Sequence, residues 1–346
     1  MNALQENLPL SAWTTFDVGG PARFLLNAVS EQDVIDGLDY AKRRKLRVFV
    51  LGGGSNLLVA DRGFDGMVLR IGMKGMRWEG PQLRAAAGED WDDIAHACVR
   101  NGFGGVECLS GIPGLAGGTP VQNVGAYGQE IADVLVRVRA LDRKTESVVD
   151  LSREDCGFAY RSSIFNTTQK DRYIVLSITY RLQEHASPQV KYPDLVRRFE
   201  GKAAPPTLME VREAVREIRA SKGMLIVEGD PDCRSAGSFF KNPILPETDY
   251  VRLQSRAQET VPRYPAGTGM VKTSAAWLIE RAGFKKGFAV GPAGVSTKHT
   301  LALVNRGGAK ASDIVHLARE IRSGVQDAFG IRLVPEPVFV GFDEEF

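Results

Sequence analysis

Between residues 110 and 128 the chain reads SGIPGLAGGTPVQNVGAYG, a stretch holding six glycines and two prolines. Both residue types work against regular helix and strand, so this segment folds as a succession of turns. Side chains are removed again and again, which is what a backbone needs when something must lie close to it. Yet Gln122, Asn123 and Tyr127 stand among the glycines, where a plain connector has no use for them. Glycine-rich backbone can aim successive N–H groups at a diphosphate. Side-chain amides suit the edge of a flat heterocycle.

A second glycine loop, Gly52-Gly53-Gly54-Ser55-Asn56, follows the strand-like residues 46–50. In a doubly wound dinucleotide fold such a turn opens a helix. Here Leu57-Leu58-Val59-Ala60 follows, which reads as another short strand. The GxGxxG spacing is absent, as is GxxxxGK[ST], so both common nucleotide fingerprints fail. Taken alone, GGGS reads as a sharp turn. Together the two loops suit a large anionic cofactor.

The chain has 346 residues, 43% of them hydrophobic, enough for two or three domains with proper cores. Forty-four Lys and Arg face 42 Asp and Glu, so no global field draws the protein to nucleic acid or an anionic membrane. The densest basic run, residues 42–45, closes a helical pattern that starts near Glu31, where cations complement the helix dipole. Four widely spaced cysteines without a CxxC pair predict a reduced, cytoplasmic protein. No apolar run reaches the ~20 residues of a membrane span. The four histidines never take a ligand spacing such as HExxH, so no protein-bound metal is expected.

Helical patterns are read at 31–45, 90–100, 207–221, 274–282 and 312–329, the third opened by a capping box from Thr207 to Glu210. Strands are expected at 46–50 and 57–60, in short pieces over 67–87 and 131–183, and at MLIVE, 224–228. Residues 188–206 read as a proline-punctuated connector, and IRLVPEPVFVG near the C-terminus as a strand pair.

Several residues can carry chemistry, each with an ordinary alternative. Arg161 in YRSS can fork onto a carboxylate or serve a structural ion pair. Ser238 in AGSFFKNP can donate a proton or cap a turn, and without GxSxG it is a poor acyl-transfer nucleophile. Glu336, between Pro335 and Pro337, is restricted in a way that suits a general acid or a strand edge. Tyr192 in KYPDL can close over a base or sugar, although tyrosines are common in loops. The residues by themselves point to a nucleotide-like cofactor and a substrate anion.

Seven ordered segments, TTFDVGGPARF, LGGGSNLLV, SGIPGLAGGTPVQNVGAYG, YRSSIF, AGSFFKNP, SAAWLIERAGFKKG and VPEPVF, span residues 14–339 and closely resemble the UDP-N-acetylenolpyruvoylglucosamine reductase (MurB) family, in its longer form with a tyrosine loop. The resemblance implies an α+β fold. It has a two-part FAD-binding region of the vanillyl-alcohol oxidase/PCMH type (1–70 and 71–222 with the connector), a smaller α/β substrate-binding domain (223–331), and a C-terminal strand segment (332–346) returning to the active site. It implies non-covalent FAD, NADPH as co-substrate, and reduction of UDP-N-acetylglucosamine enolpyruvate to UDP-N-acetylmuramate in peptidoglycan precursor synthesis. A cytoplasmic monomer is expected, with no nucleic-acid or membrane partner.

By the same resemblance, Arg161 and Glu336 stabilise an enolate-like charge, Glu336 being protonated, a state that burial favours. Ser238 protonates the neighbouring carbon; apart from the resemblance, a serine hydroxyl is so weak an acid that this role needs the adjacent Lys241 or a water relay. The cofactor residues implied are Gly52, Gly53, Gly54, Ser55, Asn56, Gly111, Gly114, Gly117, Gly118, Gln122, Asn123, Gly125 and Tyr127. Those for substrate are Tyr160, Tyr192, Lys222, Asn242, Tyr264 and Lys286. Lys298-His299 and Asp17 depart from the family pattern. Rival readings are an FAD-dependent alcohol or hydroxy-acid oxidase, which leaves AGSFFKNP unexplained, and a non-catalytic nucleotide-binding module, which has no use for Arg161, Ser238 and Glu336 together.

Overall fold

In the computed structural model, residues 4–188 and 190–343 are described, and helices and largely antiparallel sheets combine as an α+β fold. The chain divides into two compact units. One comprises Ala22–Gly53 and Asp65–Ala220 with the stretch ending at Leu8, the other Pro9–Pro21, Gly54–Phe64 and the chain from Ser221 onward. Residues 1–70, expected as one subdomain, are thus shared between both, while 71–220 stay with the first.

The first unit carries a four-stranded sheet in the order Gln5–Pro9, Pro21–Ala28, Phe64–Ile71, Val48–Leu51, the last two parallel. Its second sheet is antiparallel, in the order Ser147–Ser152, Leu135–Asp142, Tyr173–Arg181, Gln82–Ala86, Met76–Glu79. Helix α1 (Glu31–Arg43) is opened by a Ser30–Asp33 capping box and closes on the basic run, as a helix dipole favours. Helix α2 (Trp91–Arg100) is capped by Asp90. Val34 and Ala41 of α1 and Trp91, Ile94, Ala95 and Cys98 of α2 join the inward faces of the sheets in one core.

Two more helices complete this unit. The expected connector contains α3 (Pro193–Phe199), with proline at its first position, where the missing N–H costs nothing. Helix α4 (Leu208–Ser221) opens on the Thr207–Glu210 box. Leu195 of α3 is fully buried with Val211, Ala214 and Val215 of α4 and with Cys108 and Tyr127.

The second unit holds α5 (Glu247–Arg256), α6 (Ala275–Arg281) and α7 (Ala311–Phe329) with two three-stranded sheets. Ile314, Leu317, Ala318, Ile321 and Val325 form the buried stripe of α7, facing Phe239, Leu278, Val295 and Leu303. Residues 224–228 are not the expected strand: Ile226 and Val227 are exposed and pair with nothing in a sheet. The expected C-terminal strand pair is one short strand, Val338–Val340, parallel to Leu57–Val59. Among the described residues, no helix is long and apolar enough to cross a membrane.

Candidate functional site

The two glycine loops meet within the first unit. A Cβ added to Gly53 would lie 2.7 Å from the Cα of Gly114, so only glycine allows that approach. Gly52 and Gly118 differ. Neither has a positive φ, and a Cβ on either would meet nothing within 4 Å. The protein itself does not require these two glycines, so the open space beside them fits a bound group. The hydroxyl of Ser110 is buried and has no hydrogen-bond partner among the described residues, which fits the same reading. A large cofactor such as FAD fits the side-chain-free space beside Gly52 and Gly118, while the N–H groups of Gly111, Gly117 and Gly118 are bound within the protein. Gly54, Ser55 and Asn56 fall in the second unit, where Gly54 makes room for the carbonyl of Trp13 and Asn56 donates to the carbonyl of Glu336.

Helix α4 reaches the second loop through arginines at i, i+4 and i+7. Arg212 and Arg216 both bind Asp92, whose other partner is the N–H of Gly111. Burial pushes the Asp92 carboxyl up, but Arg212, Gly111 and Arg216 together hold it below its usual range. The buried Arg219 donates to the carbonyl of Gly111 and bonds the Tyr127 hydroxyl. Burial pushes that phenol up to about 12, so Tyr127 stays neutral. Its ring meets Tyr192 edge-on at 5.2 Å, and Tyr192, at the start of α3, is 40% exposed. Sequence reasoning missed these arginines, although their spacing was a visible signal.

Asn123 corrects an expectation. Its amide does not face outward to a heterocycle: it is 1% exposed, donates to Glu130 and to the carbonyl of Ala159, and accepts from the N–H of Ala132. Gly125 is likewise accounted for by the protein, since a Cβ there would meet Glu130 and the Arg161 guanidinium. Arg161 sits at the tip of a turn closed by Ala159 and Ser162, with φ of 53°, and donates to the carbonyl of Gly125 at 2.7 Å. Tyr160 is beside it, 37% exposed. Gln122 is half-buried in the same loop.

In the second unit, the segments carrying Ser238 and Glu336 run side by side. Phe239 donates to Leu301, and Glu336 donates back to the carbonyl of Phe239, so an extended segment carrying Ser238 runs between residues 301–302 and 334–336. Both side chains are half-buried. The hydroxyl of Ser235 accepts from Gly237, forming the turn that presents Ser238, and the space beside Gly237 is open. Asn242 accepts from the N–H of Ala275 at the start of α6. Tyr264 is exposed on a short strand opposite Lys272.

Lys222 and Lys286 lie within electrostatic range of His299, whose Nδ1 accepts from the N–H of Leu301. The neutral ring therefore carries its proton on Nε2. Burial, with help from the two ammonium groups, pushes His299 down to about 4. The unfolded chain, near 6.5, takes up the proton first, so stability is fully present above pH 6.5 and falls as the pH drops toward 4. We expect His299→Gln to flatten that part of the stability–pH curve by roughly 1–3 kcal/mol, read by denaturant titration. An unchanged slope would contradict the assignment.

A family model for the C-terminal domain of UDP-N-acetylenolpyruvoylglucosamine reductase matches residues 230–340, and one for an FAD binding domain matches 22–152. The UDP-N-acetylenolpyruvoylglucosamine reductase of Thermobifida fusca is 47% identical, covering 97% of this chain and 98% of its own. That of Nocardia farcinica is 48% identical over 98% of this chain and 90% of its own. The crystal structure of the Thermus caldophilus reductase aligns over 98% of this chain and 100% of its own with a TM-score of 0.69 at 25% identity.

Proposed function

The chain belongs to the UDP-N-acetylenolpyruvoylglucosamine reductase family, and from that premise we propose that it uses NADPH to reduce UDP-N-acetylglucosamine enolpyruvate to UDP-N-acetylmuramate, in peptidoglycan precursor synthesis. The family's oxidoreductase chemistry and FAD-binding domain stand on the comparisons. The observation that supports the finer reading is that Glu336 hydrogen-bonds Phe239, the residue after Ser238, so the segments carrying the two lie side by side.

Gly52, Gly53, Gly111, Gly114, Gly117, Gly118, Gln122 and Tyr127 would hold FAD, which when bound would supply a hydride acceptor for NADPH and a hydride donor for the enolpyruvyl group. The costly feature on the substrate is negative charge spreading toward its carboxylate as the terminal carbon gains hydride. Arg161 carries a permanent charge and a planar set of donors suited to that oxygen-rich group. Protonated Glu336 donates a hydrogen bond to the same charge. Ser238 delivers the proton to the carbon next to the one that gained hydride, and its hydroxyl, a weak acid, is replenished through Lys241 or water. Lys222 and Lys286 offer charge to the substrate diphosphate, with Asn242, Tyr160, Tyr192 and Tyr264 as further substrate contacts.

Tyr192→Ala is expected to raise KM by at least about tenfold with kcat little changed, as loss of uniform binding requires. Steady-state kinetics that leave KM unchanged would place Tyr192 elsewhere. The function itself is tested by incubating the holoenzyme with NADPH and the enolpyruvyl sugar nucleotide. Product carrying two added hydrogens and a lactyl methyl signal, formed in step with NADPH consumed, supports the reading. NADPH consumption without that product removes it.

A further inference from the structure

We propose that Asn123 is a positioning residue for Arg161, and that its place in the glycine-rich loop serves the substrate charge rather than the cofactor. The inference rests on the role given to Arg161 above.

Arg161 adopts φ of 53°, a left-handed conformation costly for a residue with a side chain. Such a conformation persists only where the surroundings over-determine it. The constraints are visible. Ala159 and Ser162 exchange two backbone hydrogen bonds and close the turn beneath Tyr160 and Arg161. Asn166 donates to the carbonyl of Arg161 from one side, in a capping box with Ser163. From the other side, the carbonyl of Ala159 accepts a second hydrogen bond, from the Asn123 amide, at 3.3 Å.

Asn123 also governs where the guanidinium goes. Its amide donates to Glu130 at 2.7 Å and its carbonyl accepts from Ala132 at 3.1 Å, so one side chain holds the segment beyond the hairpin turn at Tyr127 and Gly128. That hairpin pairs Glu130 with Gly125, and the carbonyl of Gly125 is the acceptor for Arg161. The Glu130 side chain and the Arg161 guanidinium flank the bare Cα of Gly125. Asn123 itself has φ of 45°, where asparagine is tolerated better than other residues with side chains. Its three hydrogen bonds thus tie the turn that displays Arg161 to the acceptor that aims it.

The test is a double-mutant cycle on the flavin-loaded protein with Asn123→Gly, Arg161→Ala and the double variant. Glycine accepts the backbone conformation and removes only the amide, and Asn123→Asp serves as a second variant should the glycine protein fail to fold. Each half-reaction is followed by anaerobic stopped-flow, with FAD affinity, product affinity by calorimetry and melting temperature measured alongside. We expect Asn123→Gly to leave NADPH-driven reduction and FAD affinity within about twofold and to slow substrate-driven reoxidation on the order of 10- to 100-fold. Product binding weakens with it. In the Arg161→Ala background the same change has no further effect. Equal slowing of both half-reactions, loss of FAD, or full additivity with Arg161→Ala overturns the proposal alone. Unchanged reoxidation in Arg161→Ala by itself removes the role of Arg161 and the proposal with it.

Discussion

Ser238→Ala is expected to leave flavin reduction by NADPH within about twofold while slowing reoxidation by the enolpyruvyl substrate about 10²- to 10⁴-fold, the range for loss of a positioned proton donor. The fold should tolerate the change. Ser238 is half-buried and held by backbone bonding, through the bridge to Ala302 and the neighbouring Phe239–Leu301 hydrogen bond, and the phenylalanines after it anchor the segment in the core. Removing the hydroxyl therefore takes away a proton and little else. Single-turnover traces of the two half-reactions separate these effects, and near-normal reoxidation would remove Ser238 from the mechanism.

Gly118→Leu should do the opposite, weakening cofactor binding without harming the fold. Gly118 has no left-handed backbone to protect, is exposed, and faces no protein atom within 4 Å of an added Cβ. The apoprotein should accordingly change stability by less than about 0.5 kcal/mol, as for an ordinary surface substitution. The leucine would fill the open space beside Gly118. We expect the FAD dissociation constant to rise at least about a hundredfold, or ~2.7 kcal/mol, in a flavin-fluorescence titration of apoprotein. Unchanged affinity would move FAD away from this loop.

How much of this was readable beforehand depends on whether the signal was local. The capped helices were: Asp90, Thr207 with Glu210, and Gly330 after α7 mark real ends, because caps satisfy backbone groups within a few residues. Helix α3 was hidden by the prolines around it, although Pro193 at its first position is a start signal. The segment 224–228 has the composition of a strand but no neighbouring strand to pair with, so β-propensity alone did not decide it.

At the site, the course of the backbone was more legible than the direction of the side chains. The segments around Ser238 and Glu336 were expected to act together, and one ladder of backbone hydrogen bonds joins them. Asn123 was read as facing a heterocycle, and nothing in its neighbours' identity reveals that a left-handed backbone turns its amide inward. The arginines of α4 were visible as i, i+4, i+7, but their convergence on Asp92 and Gly111 is long-range and follows only from the fold.

The most direct test of the central claim is an anaerobic absorbance record of the flavin-loaded protein. NADPH should bleach the flavin, and the colour should return only when UDP-N-acetylglucosamine enolpyruvate is added. Flavin that NADPH cannot bleach, or that regains colour with oxygen or an alcohol's oxidation product but not with this substrate, would contradict the account.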